Sequence, residues 1–195
     1  MKKNPYYYIG ANPTVDLVII NHLDEILFIH RAASSEACPL MQAFPGGFQD
    51  TTAKRNEKWL AGFETEENAA KREVREETNL DLEDVKVYQI GVYEGNGRDP
   101  RDNEISWSKS TAFFYQMDES TFNKIRDSLK PDDGEGGEIA KLEWTPVFKA
   151  LNTTLAFDHN KILIDCLKQY KPEILEAYAL MDISNSAKIS NKNKF

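Results

Sequence analysis

Strand, glycine-turn and helix patterns follow one another in the first 80 residues, and this order restricts the fold more than any other feature of the sequence. Apolar positions alternate within Val15–Ile19, and a short apolar run, 26–29, follows a turn-like segment, so a β-hairpin is predicted. Residues 32–51 have no sustained period and end in the tight turn Phe44–Phe48, whose centre is Pro45-Gly46-Gly47. A hairpin and then a glycine-rich turn are therefore expected before the first helix.

That helix is predicted for residues 66–80, which contain no Gly or Pro and are rich in alanine and charged helix formers. Thr65 resembles an N-cap residue, and Asn79 is expected to end the helix because Asn tolerates the left-handed conformation. The later patterns predict, in order, strands at 85–92 and 105–117 joined by turn-rich 94–103, an acidic loop at 131–138, a strand at 139–147, and helices at 155–170 and 172–181.

The size and composition of the chain indicate one domain that folds alone. Its 195 residues are 41% hydrophobic and include 10 Phe, 8 Tyr and 3 Trp. A core of this size buries roughly 70% of the surface that the unfolded chain exposes. We expect a single domain over residues 1–182 and a frayed tail over 183–195.

Charge and cysteine content limit the classes of partner. The 32 acidic and 24 basic residues give a net charge of −8, which repels nucleic-acid backbones, so no nucleic-acid partner is expected. Cys38 and Cys166 stand far apart, which argues against a disulfide framework. The longest aliphatic run, Leu17–Ile20, is too short to span a bilayer, and no signal peptide is recognised. A cytoplasmic protein with no membrane partner is therefore expected.

Three carboxylates share one face of the predicted helix. Glu73, Glu76 and Glu77 are spaced i, i+3 and i+4, so they lie within an arc of about 100°. Like charges at this spacing destabilise a helix unless a hard divalent cation binds there. The alternative is a solvated helix that is stabilised by i,i+4 ion pairs such as Glu67–Lys71.

The glycine turn and this helix resemble the sequence box of the Nudix hydrolases. The chain has Gly47, then Glu64, then the run Arg72–Leu80, which reads Arg-Glu-Val-Arg-Glu-Glu-Thr-Asn-Leu. Two departures stand out: sixteen residues separate Gly47 from Glu64, an insertion of eleven relative to the family pattern, and Asn79 replaces the family's Gly. Neither departure removes a metal ligand, although the insertion leaves the role of Glu64 open.

The resemblance implies a fold, a cofactor and a metal site. The implied fold is of the α/β class, an α/β/α sandwich with a mixed β-sheet. The implied cofactor is Mg²⁺, with Mn²⁺ as a second candidate, and hard cations of this kind require oxygen ligands. The implied ligands are Glu73, Glu76, Glu77 and the backbone carbonyl of Gly46. Arg72 would orient Glu73, the alternative being an ordinary surface ion pair.

The general base that deprotonates the attacking water stays open between two places. Members of the family use either a glutamate of the box, here Glu73 or Glu77, or one on the loop before a late strand. Glu138 is favoured here because it is nearest the predicted strand and follows glycines. The alternative reading of the acidic loop 132–138 is that it is simply solvated.

Two further motifs resemble the branch of the family that contains the ADP-ribose pyrophosphatases and their relatives in NAD metabolism. They are Gly97-Arg98-Asp99-Pro100-Arg101 before a strand and Leu155-Ala156-Phe157-Asp158-His159 at a helix start, so the resemblance covers about residues 13–170. It implies Mg²⁺-dependent hydrolysis of a nucleoside diphosphate linked to another moiety, with ADP-ribose giving AMP and ribose 5-phosphate as the first expectation.

Substrate-binding residues follow from the same resemblance. Arg98 and Arg101 would contact phosphate oxygens, since guanidinium groups form forked contacts, or else would only hold the Asp99-Pro100 turn. Phe48, or one ring of 6–8, would stack on adenine. His159 is assigned no chemistry.

Other functions and features remain open at this stage. The protein could act on another pyrophosphate, such as a dinucleotide, NADH or a nucleoside triphosphate. It could also be a non-catalytic ADP-ribose sensor, although such sensors append a winged-helix domain and only fourteen residues follow Met181. Residues 49–63 would form either a lid over the substrate or a surface excursion packed by its own aromatic residues. A homodimer would be in keeping with the relatives.

Overall fold

A computed structural model describes residues 6–51, 62–95, 97–131 and 138–181. The strands are β1 (Gly10–Ile20), β2 (Glu25–Arg31), β3 (Gln42–Ala43), β4 (Gly46–Phe48), β5 (Tyr88–Glu94), β6 (Ser106–Gln116) and β7 (Ile139–Pro146). The helices are α1 (Glu66–Thr78), α2 (Glu119–Ile125), α3 (Val147–Leu151), α4 (His159–Tyr170) and α5 (172–181). The predicted tail 183–195, most of the insertion 49–63 and most of the acidic loop 131–138 lie outside the described residues.

A mixed seven-stranded sheet is built around β1. Strand β6 runs parallel to β1 along its whole length, from Gly10↔Ser106 to Ile20↔Gln116. Strands β2 and β4 are antiparallel to β1, β5 is antiparallel to β6, and β3 and β7 are antiparallel to β2. The α/β class and the mixed sheet are therefore confirmed.

Two hydrophobic cores lie on opposite faces of the sheet, because successive side chains of a strand point to opposite sides. Val15, Leu17 and Ile19 of β1 pack with Ala69, Ala70 and Val74 of α1. Val18 and Ile20 pack on the other face with the α4 residues Ile162, Leu163, Cys166 and Leu167. The sheet is thus enclosed between helices, as the predicted α/β/α sandwich requires. No helix among the described residues is long and apolar enough to cross a membrane.

Helix α1 has the predicted caps. Thr65 Oγ1 accepts a hydrogen bond from Asn68 N at 3.2 Å, and Asn79 adopts a left-handed conformation with φ of 60°. The Asn79 N–H donates to Arg75 O at 2.9 Å, so Asn79 ends the helix in place of a glycine. The last helical residue is Thr78, directly before the predicted stop at Asn79.

Several boundaries differ from the predictions for physical reasons. The Phe44–Phe48 segment is not only a turn, because its second half, β4, pairs with β1, a long-range contact that no local pattern reports. Helix α2 lies in a segment with no predicted element, although Asp118 caps it by accepting from Thr121 N at 2.9 Å. Helix α3 is only five residues long, too short to show a helical period.

Candidate metal and diphosphate site

A cleft of about 680 Å³ opens where the middle of β1, the β4 segment and α1 meet. Its floor includes Glu73 and Glu77 of α1, and its walls carry three arginines, Arg31, Arg98 and Arg101. No lysine among the described residues lines it. The cleft therefore combines carboxylates, which are the type of ligand that hard metal ions prefer, with guanidinium groups, which suit anions.

The glycine turn lies directly against α1. Gly46 N donates a hydrogen bond to Glu77 Oε2 at 2.9 Å. A Cβ atom at Gly46 would lie 2.1 Å from Val15 O, and one at Gly47 would lie 2.6 Å from the Glu73 carboxylate. Position 46 thus requires glycine, because a side chain would separate the turn from the β1 backbone, whereas a side chain at position 47 would displace the Glu73 carboxylate.

Glu77 is a partly buried carboxylate without an ion-pair partner among the described residues. Burial raises its pKa well above the ordinary value, although the Gly46 N–H and the charge of Arg31 act in the opposite direction. It forms no ion pair with any residue that the structure describes. A divalent cation would supply the missing charge, so the donor set at this position fits a hard metal ion.

Glu73 is held beside Glu77 by Arg72. Burial raises the pKa of Glu73 to about 7, against the opposing charge of Arg72, whose Nη1 donates to Glu73 Oε1 at 2.9 Å. Arg72 Nη2 donates to Phe48 O at 2.9 Å, which ties the helix to the end of β4. Arg72 thus contacts both the Glu73 carboxylate and the end of β4.

Glu64 also binds Arg72, despite the insertion before it. Arg72 Nη2 lies 2.6 Å from Glu64 Oε1, and the Arg72 contacts lower the pKa of Glu64 although burial alone would raise it. Asp50 N donates to the same Glu64 carboxylate at 2.8 Å. Residue 64 therefore anchors the arginine and does not reach the cleft floor.

Glu76 takes a different position from the other two helix glutamates. Its side chain is 50% exposed and accepts from Arg72 Nη1 at 2.9 Å. Within the described part of the chain, no three acidic, histidine or cysteine side chains converge as a ready metal-binding group. Glu73, Glu77 and the Gly46 turn form the compact part of the candidate site, and Glu76 would join it only by leaving Arg72.

Two of the three cleft arginines already have carboxylate partners. Arg98, whose side chain is 8% exposed, donates to both oxygens of Asp158 at 2.8 and 3.2 Å and lies 3.4 Å from Asp16. Arg101 forms a two-point contact with Asp99, at 2.7 and 3.0 Å. The Arg101–Asp99 pair matches the alternative in which the motif holds its own turn, whereas Arg98 bridges to other elements.

The third arginine, Arg31, was not singled out from the sequence. Its Nε donates to Ala37 O at 2.8 Å, and its guanidinium lies 5.3 Å from the centre of the Phe157 ring. It forms no ion pair with any described residue, and its charge reaches Glu77. The available signal was a charged residue at the end of β2, two positions after its apolar run.

Asp16 is the second residue that sequence reasoning missed. It lies in the cleft wall, and Ser110 Oγ donates to its Oδ2 at 2.5 Å. Although burial alone would raise its pKa, His159 and Arg98 lower the pKa of Asp16 to about 2. Its signal was the single charge within the apolar run of β1.

The remaining predicted residues line the edges of the cleft. Phe48 is half-buried and packs edge-on against Tyr6 and Tyr7, with ring centres 6.2 and 5.9 Å apart. Tyr7 is half-exposed, whereas Tyr6 is buried and donates its hydroxyl hydrogen to Asp102. Glu138 is exposed at the opposite edge, and its backbone carbonyl accepts from Ala32 N at 2.8 Å.

Comparisons with known proteins identify the family of the chain. The family model described as NUDIX domain matches residues 10–166. A MutT/Nudix family protein from Listeria innocua is 28% identical, with a TM-score of 0.58, over 84% of this chain and 96% of that one. The search of curated proteins gives no match.

Two more solved structures share the fold. The Nudix domain of Shewanella oneidensis NrtR in complex with ADP-ribose is 21% identical, with a TM-score of 0.63, and the alignment covers 86% of this chain and 94% of that one. A bifunctional NMN adenylyltransferase/ADP-ribose pyrophosphatase from Francisella tularensis, complexed with AMP and a Mn ion, is 21% identical, with a TM-score of 0.55, over 85% of this chain and 43% of that one. The extent of the family match covers well over half of the sequence, and the chain therefore belongs to the Nudix family of hydrolases.

Proposed function

We propose that the protein is a Mg²⁺-dependent pyrophosphatase that hydrolyses ADP-ribose to AMP and ribose 5-phosphate. The observation that carries this proposal is the partly buried carboxylate of Glu77, which has no described ion-pair partner, beside Glu73 on the floor of a cleft whose walls carry arginines. The ADP-ribose complex of the NrtR Nudix domain and the ADP-ribose pyrophosphatase activity of the bifunctional Francisella protein support ADP-ribose as the first substrate to test.

The reaction adds water across a phosphoanhydride bond. The water oxygen bonds to one phosphorus, the bond from that phosphorus to the bridging oxygen breaks, and the two phosphate monoesters leave. A divalent ion, when bound, neutralises phosphate oxygens and lowers the pKa of coordinated water. Glu73, Glu77 and the Gly46 turn would hold that ion, with Glu76 as a further ligand, and Arg72 would keep Glu73 in place.

Arg31 is the strongest candidate for direct contact with the substrate diphosphate. Guanidinium groups bind phosphate oxygens through charge-assisted hydrogen bonds. Both terminal nitrogens of Arg31 lack a partner among the described residues, whereas Arg98 and Arg101 share theirs with aspartates. Arg101 Nη1 also has no described partner, so Arg101 would add a second contact, and Arg98 would approach the phosphates only through its remaining hydrogens.

Phe48 and Tyr7 form a candidate surface for adenine. Their rings lie at one edge of the cleft, and Tyr7 is 51% exposed. Apolar rings gain free energy by covering a base face. We place the nucleoside at this edge and the terminal ribose near Arg31 and Phe157.

Glu138 is proposed as the general base, and its replacement gives a direct test. Glu138→Gln is expected to lower kcat by about a hundredfold, because positioned bases contribute about 10²–10⁴-fold. The measurement is kcat at saturating ADP-ribose and Mg²⁺, with the thermal midpoint recorded for both proteins. A folded variant that keeps the parent's kcat would transfer the role to a box glutamate.

Metal binding should stabilise the folded protein, because a cation neutralises the carboxylate of Glu77, which has no described ion-pair partner. Millimolar Mg²⁺ or Mn²⁺ is expected to raise the thermal midpoint by about 5–10 °C, from mass action on the folded state alone. Calorimetry at equal ionic strength in Na⁺ provides the control. An unchanged midpoint, together with no activity on any diphosphate, would favour a salt-bridged structural helix.

A product assay distinguishes the proposal from its alternatives. Purified protein with Mg²⁺ is incubated with ADP-ribose, NADH, a dinucleoside polyphosphate and ATP, and the products are separated by chromatography. The highest kcat/KM on ADP-ribose, with AMP as product, is expected. Preference for another compound would keep the hydrolase and change the substrate. Tight ADP-ribose binding without turnover would favour the sensor. That alternative is suggested by a structure of Shewanella oneidensis NrtR in complex with a 27mer DNA, which is 23% identical, with a TM-score of 0.58, over 80% of this chain and 60% of that one.

A further inference from the structure

The segment Phe157-Asp158-His159, at the start of α4, contacts the site at three places. His159 is buried, and its ring stacks on Phe44 with centres 4.9 Å apart. Its Nδ1 accepts from Phe44 N at 3.0 Å, which leaves the ring hydrogen on Nε2. Nε2 lies 3.1 Å from Asp16 Oδ1 but outside hydrogen-bond geometry, so this contact is an electrostatic one. His159 therefore joins the backbone of the Phe44–Gly47 turn to the carboxylate of Asp16.

Asp158 occupies the N-cap position of α4 but does not cap the helix with its side chain. An aspartate at a helix N-cap commonly accepts hydrogen bonds from backbone N–H groups of the first turn. Asp158 makes no side-chain cap hydrogen bond, and both of its oxygens instead accept from Arg98. Its carboxylate is thus used to hold the guanidinium in one orientation.

Asp16 joins the two contacts. Its Oδ1 lies next to His159 and its Oδ2 accepts from Arg98 Nη2 at 3.4 Å. A continuous chain of polar contacts therefore runs from Arg98 through Asp16 and His159 to the Phe44 N–H. Two residues further along the turn, the Gly46 N–H binds Glu77.

We propose that Asp158 and His159 are positioning residues, which fix Arg98 and the Phe44–Gly47 turn relative to each other through Asp16. This inference rests on the proposed function, because it assigns the arginine and the turn to one diphosphate site. Side chains that share one network act on one another, so changes along it should not be independent.

A double-mutant cycle between Asp158 and Arg98 tests the first half. Dissociation constants for ADP-ribose and for ADP are measured by calorimetry in EDTA, and kcat/KM is measured with Mg²⁺. Asp158→Ala and Arg98→Ala are each expected to weaken ADP-ribose binding about thirtyfold, and the double variant by about the same factor. Independent effects would multiply to about nine-hundredfold, which would overturn the inference.

A control and a second variant separate positioning from loss of folding. Asn160 lies at the same helix start, where its side chain accepts from Leu155 N at 2.9 Å and donates to Thr153 O at 2.8 Å, neither of which belongs to the network. Asn160→Ala should lower the thermal midpoint and leave both dissociation constants unchanged. If Arg98→Ala fails to fold, the cycle is repeated with Arg98→Lys in place of Arg98→Ala and Asp158→Asn in place of Asp158→Ala.

Two replacements of His159 test the second half. An asparagine side chain reaches about as far as Nδ1 of histidine, so His159→Asn keeps an acceptor for the Phe44 N–H and loses the contact with Asp16. A glutamine side chain reaches about as far as Nε2, so His159→Gln keeps the contact with Asp16 and loses the acceptor for the Phe44 N–H. His159→Asn is expected to keep the Mn²⁺ affinity, measured by electron paramagnetic resonance, and to weaken ADP-ribose binding in EDTA. His159→Gln should weaken Mn²⁺ binding more than ADP-ribose binding, and equal losses in both variants would contradict the link.

The outcomes also separate this inference from the proposed function. If the two single variants are coupled but the parent protein does not hydrolyse ADP-ribose, the proposed function is wrong and the positioning network is supported. If the effects of the two variants multiply in a parent that is active, the positioning network is wrong and the proposed function is supported. A parent that binds neither ADP-ribose nor ADP would contradict both.

Discussion

Glu77→Gln is expected to lower kcat by at least about a thousandfold, roughly 4 kcal/mol of activation free energy, while the protein stays folded. Glutamine has nearly the same shape as glutamate and keeps an oxygen that can accept from Gly46 N. It lacks the negative charge that the proposed metal ion requires. The measurement is kcat at saturating ADP-ribose and Mg²⁺, with the thermal midpoint recorded for both proteins.

The same substitution makes an opposite prediction for metal-free stability. Because it removes a partly buried carboxylate that has no described positive partner, Glu77→Gln should raise the thermal midpoint in EDTA and abolish the further rise with Mg²⁺. Glu67→Gln is the matched control, since Glu67 lies on the same helix, is exposed and pairs with Lys71 at 2.8 Å. A folded Glu77→Gln protein with kcat within tenfold of the parent would exclude Glu77 as a metal ligand.

The parts of the site that depend on local sequence could be predicted. The helical period places Glu73 and Glu77 on one face, and the caps at Thr65 and Asn79 are local hydrogen-bonding choices. The same period places Glu76 on that face, but the structure pairs it with Arg72 instead. Spacing along the helix therefore predicts which face a side chain lies on, but not which side chain it pairs with.

The parts that depend on strand register could not be predicted. Asp16 meets Ser110 and Arg98 only because β1 and β6 run parallel in one register, and Arg31 reaches the cleft only because β2 ends beside it. A one-residue shift of register would move every side chain of a strand to the other face. Local patterns contain no information on which of these registers the chain adopts.

The insertion shows why spacing alone is a weak guide to geometry. Its two ends are brought together by the Thr51↔Phe63 bridge, and Gln49 Nε2 donates to Glu64 O at 2.9 Å. Additional residues between joined ends cost little conformational free energy, because closure entropy grows only slowly with loop length. Glu64 thus reaches Arg72 whether the intervening segment is short or long.

Arg31→Ala is expected to lower kcat/KM for ADP-ribose several-hundredfold, roughly 3–4 kcal/mol, the second largest effect that the structure predicts. The reason is that the guanidinium is already fixed by Ala37 O and Phe157 but has no carboxylate to neutralise it. Its full charge is therefore available to the substrate phosphates. Arg31→Lys keeps the charge without the fork and should recover only part of the loss.

Arg101→Ala provides the comparison, because Asp99 already neutralises Arg101. Its loss in kcat/KM should be about tenfold, with a fall in thermal midpoint because buried Asp99 is left unpaired. Measuring both variants with ADP-ribose and with ATP separates contact with the shared diphosphate from contact with the terminal ribose phosphate. A larger loss in Arg101→Ala than in Arg31→Ala, at equal folded fraction, would show that pairing within the free protein does not decide which arginine binds the substrate.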